Sequence, residues 1–218
     1  MIPLAVDDLL RGRGRHAVGG DRIPWGELSA ILAAGGVLYG GVMGSFGESF
    51  LQAVYSGLKV PMLLTVASLL CLPSFYVVNT LLGLREDFAA ACRGLLAAQA
   101  TLSAGLAALA PWTGLAYLSS ADYRFAVLFN GVVFALATLA AQVTLGRHYR
   151  PLIAANPRHR VGRTAWLVLY VFVSIQMAWV LRPFVGAPGL PTRFFREHAW
   201  SNAYVVVAGA IRDFIAGK

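Results

Sequence analysis

The chain has 218 residues, of which 58% are hydrophobic and only 13% are charged, and its net charge is +8. Soluble domains are about 45–50% apolar and about 25% charged, so this composition excludes an ordinary soluble domain. A bilayer core about 30 Å thick needs about 20 residues of helix, and several apolar runs supply that length. The composition therefore predicts an all-α, polytopic transmembrane helical bundle. In such a protein the excess of basic residues indicates loops that set the orientation in the membrane and contact anionic lipid, rather than a nucleic-acid partner.

The first segment, residues 1–27, is predicted to be a basic cytoplasmic arm. Asp7 and Asp8 interrupt its only apolar stretch, and the arginines follow that stretch instead of preceding it. A secretory signal peptide has the opposite order. We therefore expect membrane insertion to begin with the first transmembrane helix.

Five apolar segments follow and form a predicted transmembrane domain over residues 28–186. The predicted spans are residues 28–47, 60–82, 95–118, 124–146 and 164–185. The loops between them are short, so successive helices should be antiparallel neighbours.

The first span contains a regular set of glycines, in the sequence GGVLYGGVMGSFG. Gly36, Gly40 and Gly44 recur every four residues and therefore lie on one helix face. Glycine lets helix backbones approach closely in lipid, so this face predicts a packing contact. The contact lies either between subunits, or beside a pore, or within the chain against span two or three, and the intrachain reading is favoured because small-residue contacts are common inside bundles.

Spans two to five each carry at least one amide side chain. These are Asn79, Gln99, Asn130, Gln142 and Gln176. At 1.5 Å per residue, the first two and Gln142 lie about 5–6 Å from the cytoplasmic ends of their spans. The other two lie in the outer half, near the level of Tyr39. The amides predict either polar layers that line a pathway for water, ions or a small solute, or hydrogen bonds between helices that brace the bundle.

Arginines are concentrated in alternate loops, which predicts the orientation. The loop after span four carries Arg147, Arg150, Arg158, Arg160 and Arg163. The opposite loops carry only Lys59 and Arg124, each at a predicted span edge. The positive-inside rule then places the N-terminus in the cytoplasm, and we expect a bacterial inner membrane. The five loop arginines are predicted to contact anionic lipid headgroups.

The C-terminal segment, residues 187–218, is harder to assign. Residues 203–211 are apolar but cover only about half a span, and aromatic residues alternate with charges before them. This pattern predicts an interfacial helix. The alternative is a re-entrant segment or a sixth span over residues 200–216, which would return the basic C-terminus to the cytoplasm.

No catalytic residue, metal site or cofactor is predicted. The sequence has no GxSxG, P-loop, HExxH or Rossmann glycine pattern. Cys71 and Cys92 do not form a CxxC pair or a Cys/His cluster, and we expect reduced structural thiols. Spans one to five lack a central Asp, Glu, Lys or Arg, which argues against a pump with a carboxylate relay. We therefore expect a protein that is not an enzyme.

Two stretches carry a resemblance to other proteins, LKVPMLLTVASLLCLPSFYVVNTLLGL at residues 58–84 and QMAWVLRPFVG at residues 176–186. They resemble segments of an uncharacterised bacterial polytopic integral-membrane family, and the likeness covers most of the hydrophobic region. The resemblance implies a bacterial inner-membrane location and carries no known activity with it. The proline-bearing second span is also similar to five-span Yip1-type proteins, from which no function carries over.

Two functional hypotheses follow from these features. The first is a non-catalytic membrane scaffold or accessory subunit that associates with itself or with membrane partners through the glycine face. The second is a small passive ion or solute channel lined by the amide layers. The scaffold is favoured, because every polar feature has a packing explanation.

Overall fold

The structure is a computed structural model that describes residues 2–11, 24–47, 49–186, 189, 191–196 and 202–205. The described helices are α1 Ile2–Arg11, α2 Trp25–Gly44, α3 Phe50–Leu81, α4 Phe88–Ser119, α5 Tyr123–Ala155 and α6 His159–Leu181. A single 3-10 turn, Ser45–Gly47, follows α2. Most of the C-terminal segment, including residues 206–216 of the predicted interfacial helix or sixth span, lies outside the described residues.

The five helices α2 to α6 are long and apolar enough to cross a membrane. The all-α prediction with five spans is confirmed. The predicted spans are shorter than the helices, because α3, α4 and α5 have 32, 32 and 33 residues. At 1.5 Å per residue these helices are about 50 Å long, so they extend beyond a bilayer core into polar residues that an apolar window does not detect.

The first membrane helix, α2, lies at the centre of the bundle. Helix α2 packs against both α3 and α4, while α6 packs mainly on α3 and α5 mainly on α4. The core between them includes Tyr39, Phe75 and Leu106, all with 0% exposure. In contrast, α5 and α6 contact each other little, so the bundle is held together through α2.

Local sequence explains where several helices begin and end. Helix α3 ends at Leu82-Gly83-Leu84, where Gly83 has φ +74°. The backbone N–H groups of Gly83 and Leu84 donate to the carbonyls of Thr80 and Asn79, which is the Schellman arrangement that a left-handed glycine permits. Helix α5 begins where the Asp122 carboxylate accepts a hydrogen bond from the backbone N–H of Arg124 at 2.8 Å.

The N-terminal helix α1 was not predicted, since the sequence indicated only a basic arm. Leu9 of α1 is 2% exposed and packs with Leu28 and Ile31 of α2 and with small residues of α4. Asp7, which interrupts the apolar stretch, pairs with Arg11 one turn later at 2.7 Å on the exposed face. The stretch is therefore amphipathic, and its apolar side docks on the bundle at the end that carries the basic loops.

Candidate functional site

The glycine face of α2 packs directly on α3 of the same chain. A Cβ atom on Gly40 would collide with the backbone carbonyl of Ser56, and one on Gly44 would lie 2.5 Å from the carbonyl oxygen of Gln52. A Cβ on Gly36 would lie 3.0 Å from Pro61. The intrachain alternative for these glycines therefore applies, and the idea that this face binds another subunit is corrected, because α3 already fills it.

Asn130 joins three helices through a buried polar cluster, which we call the asparagine cluster and which consists of Asn130, Tyr39 and Tyr117. The Tyr39 hydroxyl donates to Asn130 Oδ1 at 2.6 Å. Asn130 Nδ2 donates to the Tyr117 hydroxyl at 2.6 Å and to the backbone carbonyl of Ala126 at 2.7 Å. Asn130 is 2% exposed and Tyr39 is 0% exposed. The cluster therefore ties α2, α4 and α5 together and satisfies the amide within the protein.

The three amides predicted at the cytoplasmic level are placed differently from one another. Asn79 is buried, and its Nδ2 donates to the Phe75 carbonyl of its own helix at 2.8 Å. Gln99 Oε1 accepts a hydrogen bond from the Tyr170 hydroxyl at 3.1 Å, which connects α4 with α6. Gln142 is half-buried. Among the described residues no hydrogen bond joins these three amides to one another.

Gln176, the amide of α6, contacts the C-terminal segment. Its Oε1 accepts a hydrogen bond from the backbone N–H of Ala203 at 3.0 Å. The Asn202 side chain accepts from the N–H of Tyr204 at 2.9 Å, and the Tyr204 ring stacks on Phe172 with centroids 4.6 Å apart. Residues 202–205 therefore lie against α6, and Gln176 accepts the backbone N–H of Ala203 there.

Lys59 was predicted at a span edge, and the structure corrects this, because it lies inside α3 with 0% exposure. Its Nζ donates to the backbone carbonyl of Pro183 at 2.8 Å and lies 4.8 Å from the centroid of the Phe194 ring. Ser56 and Gln52, one and two turns earlier in α3, also donate to carbonyls of the loop after α6. We call Gln52, Ser56 and Lys59 the lysine cluster, and their hydrogen bonds hold that loop against α3. Sequence spacing shows that the three α3 residues share a face but gives no sign of their carbonyl partners.

The first residue of that loop, Arg182, directly follows α6 and is stacked 3.3 Å above the centroid of the Trp179 ring. Burial, and then the positive charge of Arg196, lower the pKa of Arg182 from its ordinary value. On the basic side the effect is opposite, because the hydrogen bond and charge of Asp7 raise the pKa of Arg11.

The predicted headgroup arginines lie on the basic side, and some of them contact backbone carbonyls. Arg147 Nη1 donates to the Leu10 carbonyl of α1 at 2.6 Å, and Arg158 Nη1 donates to the Leu82 carbonyl at 3.3 Å. Arg150 and Arg160 are exposed. The guanidinium of Arg163 lies near Gly146 of α5. This side is therefore strongly positive, and part of its charge holds α1 and the two basic loops in place.

A large cavity, which we call the crevice, opens between α2, α3 and α4 on the basic side. It encloses about 680 Å³. Its walls are Ser29, Leu32 and Ala33 of α2 and Thr65, Ser68 and Leu69 of α3, and Gln99 lies in its floor. Most of its lining is apolar. Hydropathy and spacing along the sequence did not predict this cavity.

Among the described residues, no group of three or more His, Cys, Asp or Glu side chains is placed to bind a metal ion. The fold and these sites define the chain as a multi-pass membrane protein with an all-α helical bundle. Comparison with protein-family models, with curated proteins and with solved structures found no match.

Proposed function

We propose that this protein is a non-catalytic integral membrane scaffold or accessory subunit of a membrane complex, in a bacterial inner membrane with its N-terminus in the cytoplasm. The observation that supports this is the use of buried polar groups as braces between helices. The asparagine cluster joins α2, α4 and α5, and the lysine cluster joins α3 to the loop after α6.

Smaller hydrogen bonds extend the same pattern. The Ser103 hydroxyl of α4 donates to the Leu32 carbonyl of α2 at 2.6 Å. Thr101 of α4 and Thr144 of α5 are joined at 3.2 Å. A water-filled pathway would need polar groups turned toward water, whereas these groups are turned toward each other and toward backbone carbonyls. The braced bundle therefore supports a scaffold over the alternative of a passive channel.

Since α3 covers the glycine face, the proposed partners must bind elsewhere. Helix α5 presents a continuous apolar row to the outside. It consists of Leu128, Val132, Leu136, Leu139 and Val143, each at least 50% exposed. We propose that partner helices or lipid pack on outer faces of this kind, while the arginines of the basic side meet anionic headgroups.

Flux through proteoliposomes tests the scaffold against the channel. We expect no specific ion or solute flux in the parent protein, and no change in flux on replacing Gln142 by Leu. A thermal melt of the same preparations should show that Gln142→Leu remains folded. A reproducible flux in the parent that is abolished by Gln142→Leu without unfolding would replace the scaffold by the channel.

A further inference from the structure

We propose that the crevice holds an acyl chain of an anionic phospholipid, whose headgroup lies at the basic side of the membrane. This inference is independent of whether the protein is a scaffold or a channel. It rests on the shape of the α2–α3 contact, on the lining of the crevice and on the charge at its end.

The crevice begins where the close glycine contact between α2 and α3 ends. The two antiparallel helices meet backbone to backbone where Gly44 faces Gln52 and where Gly40 faces Ser56. The close contact ends at Gly36 and Pro61. Beyond this point residues of both helices line open space. In the antiparallel order of the helices, Leu32 and Ala33 lie level with Thr65 and Val66, Ser29 with Ser68, and Trp25 with Leu72. Side chains replace glycine, so the helices diverge toward the basic side.

The crevice is open to the side of the protein and not only to water. Ala33 and Thr65, which face each other across it, are exposed, as are Trp25 and Leu69 at 54% and 57%. All four belong to helices long and apolar enough to cross a membrane. A lateral opening at this depth is bathed by acyl chains, which are the most concentrated apolar molecules there.

The size and chemistry of the crevice fit a chain of that kind. Ligand cavities enclose about 300–1,000 Å³ and have mainly apolar walls with a few polar groups. The crevice falls in this range at about 680 Å³. Its polar side chains are partly occupied with the protein, since Ser68 donates to the Leu64 carbonyl and Gln99 accepts from Tyr170. The walls therefore offer an occupant mainly van der Waals contact.

The positive charge on the side where the crevice ends favours an anionic headgroup. Cys92 lies in the floor, and the next residue of α4 is Arg93, whose Nε is buried without a hydrogen-bond partner among the described residues. Arg93 does not line the crevice itself, but it belongs with Arg147, Arg150, Arg158 and Arg160 to the positive side of the molecule at which the crevice ends. Such a side is suited to the phosphate of an anionic lipid.

Native mass spectrometry of the purified full chain, with palmitoyl-oleoyl phosphatidylglycerol or phosphatidylcholine added, tests the proposal. We expect the parent to retain the anionic lipid, and Ala33→Trp, which fills the crevice from α2, to lower retention about tenfold. Ala34→Trp is the matched control, because Ala34 is the adjacent exposed residue and does not line the crevice. It should leave retention unchanged. Thr65→Phe fills the crevice from α3 and should act like Ala33→Trp if that variant does not fold.

The headgroup is tested separately. Arg93→Gln should reduce the preference for phosphatidylglycerol over phosphatidylcholine about fivefold, as expected for one basic residue. Equal retention of both lipids by the parent would overturn the anionic headgroup. Equal retention by the parent, Ala33→Trp and Thr65→Phe would overturn the crevice as the site. A parent that retains no lipid would overturn the proposal, and a dimer that Ala33→Trp dissociates would show that a second copy occupies the crevice instead.

Discussion

At the scale of single residues, buried side chains in this bundle are positioned by specific hydrogen bonds. Depth arithmetic from the sequence placed Asn130 near the level of Tyr39, and the structure joins their side chains at 2.6 Å. The same arithmetic placed Asn79, Gln99 and Gln142 at one level, but Asn79 turns toward its own helix and Gln99 toward Tyr170. Depth depends on residue number alone, whereas the direction of a side chain depends on how its helix is rotated.

Replacing Asn130 by Leu should destabilise the monomer by about 1–3 kcal/mol, because it removes the cluster's central amide and leaves a buried tyrosine hydroxyl without its acceptor. The free energy of unfolding in detergent micelles measures this loss. A double-mutant cycle with Tyr39→Phe should show coupling between the two positions. Gln142→Leu is the control, and its smaller effect is expected because Gln142 is only half-buried. Additive effects of Asn130→Leu and Tyr39→Phe would contradict the cluster.

At the scale of helices, the two halves of α2 pack against α3 in different ways. Its outer half is a glycine face that allows backbone contact with α3, and its inner half carries side chains that hold the helices apart. The sequence predicted the first half from glycine spacing. It did not predict the second, because a gap between two helices depends on both of them and on α4 behind them.

Replacing Gly40 by Leu should push α3 away from α2 and destabilise the monomer by about 1–3 kcal/mol, since the new side chain would meet the Ser56 carbonyl. A thermal melt with size-exclusion chromatography measures stability and subunit number together. Gly41 is the matched control, because a Cβ there would meet nothing within 4 Å, and Gly41→Leu should melt like the parent. A Gly40→Leu protein that keeps the parent's melting temperature but changes its subunit number would instead place this face between subunits.

At the scale of the whole molecule, the helix ends separate into two sides. One side carries α1 and the loops after α3 and α5, where Arg158 contacts Leu82 and His159 pairs with Asp87 at 3.1 Å. The other side carries the loop after α4 and the lysine cluster. This grouping agrees with the alternating arginine pattern of the sequence.

Cysteine labelling in intact cells tests the orientation. In a background without Cys71 and Cys92, we expect a cysteine at position 158 to be protected from an impermeant reagent and one at position 122 to be labelled. Both positions are exposed, whereas position 59 is buried and therefore unsuited to labelling. Disrupting the membrane should make position 158 reactive, which controls for accessibility. Labelling of position 158 in intact cells would reverse the proposed topology.

The sequence by itself determined the class of protein, the five membrane helices found among the described residues and the side on which the arginines gather. These properties depend on local composition and length, which the bilayer thickness converts into spans. Only the tertiary structure decided that α3 covers the glycine face, that Lys59 is buried against Pro183 and that α1 packs on the bundle. The crevice, too, is a feature of the tertiary structure alone. Each of these depends on contacts between residues far apart in the chain, and therefore on the rotation and crossing of whole helices, which hydropathy and spacing along a single helix do not specify.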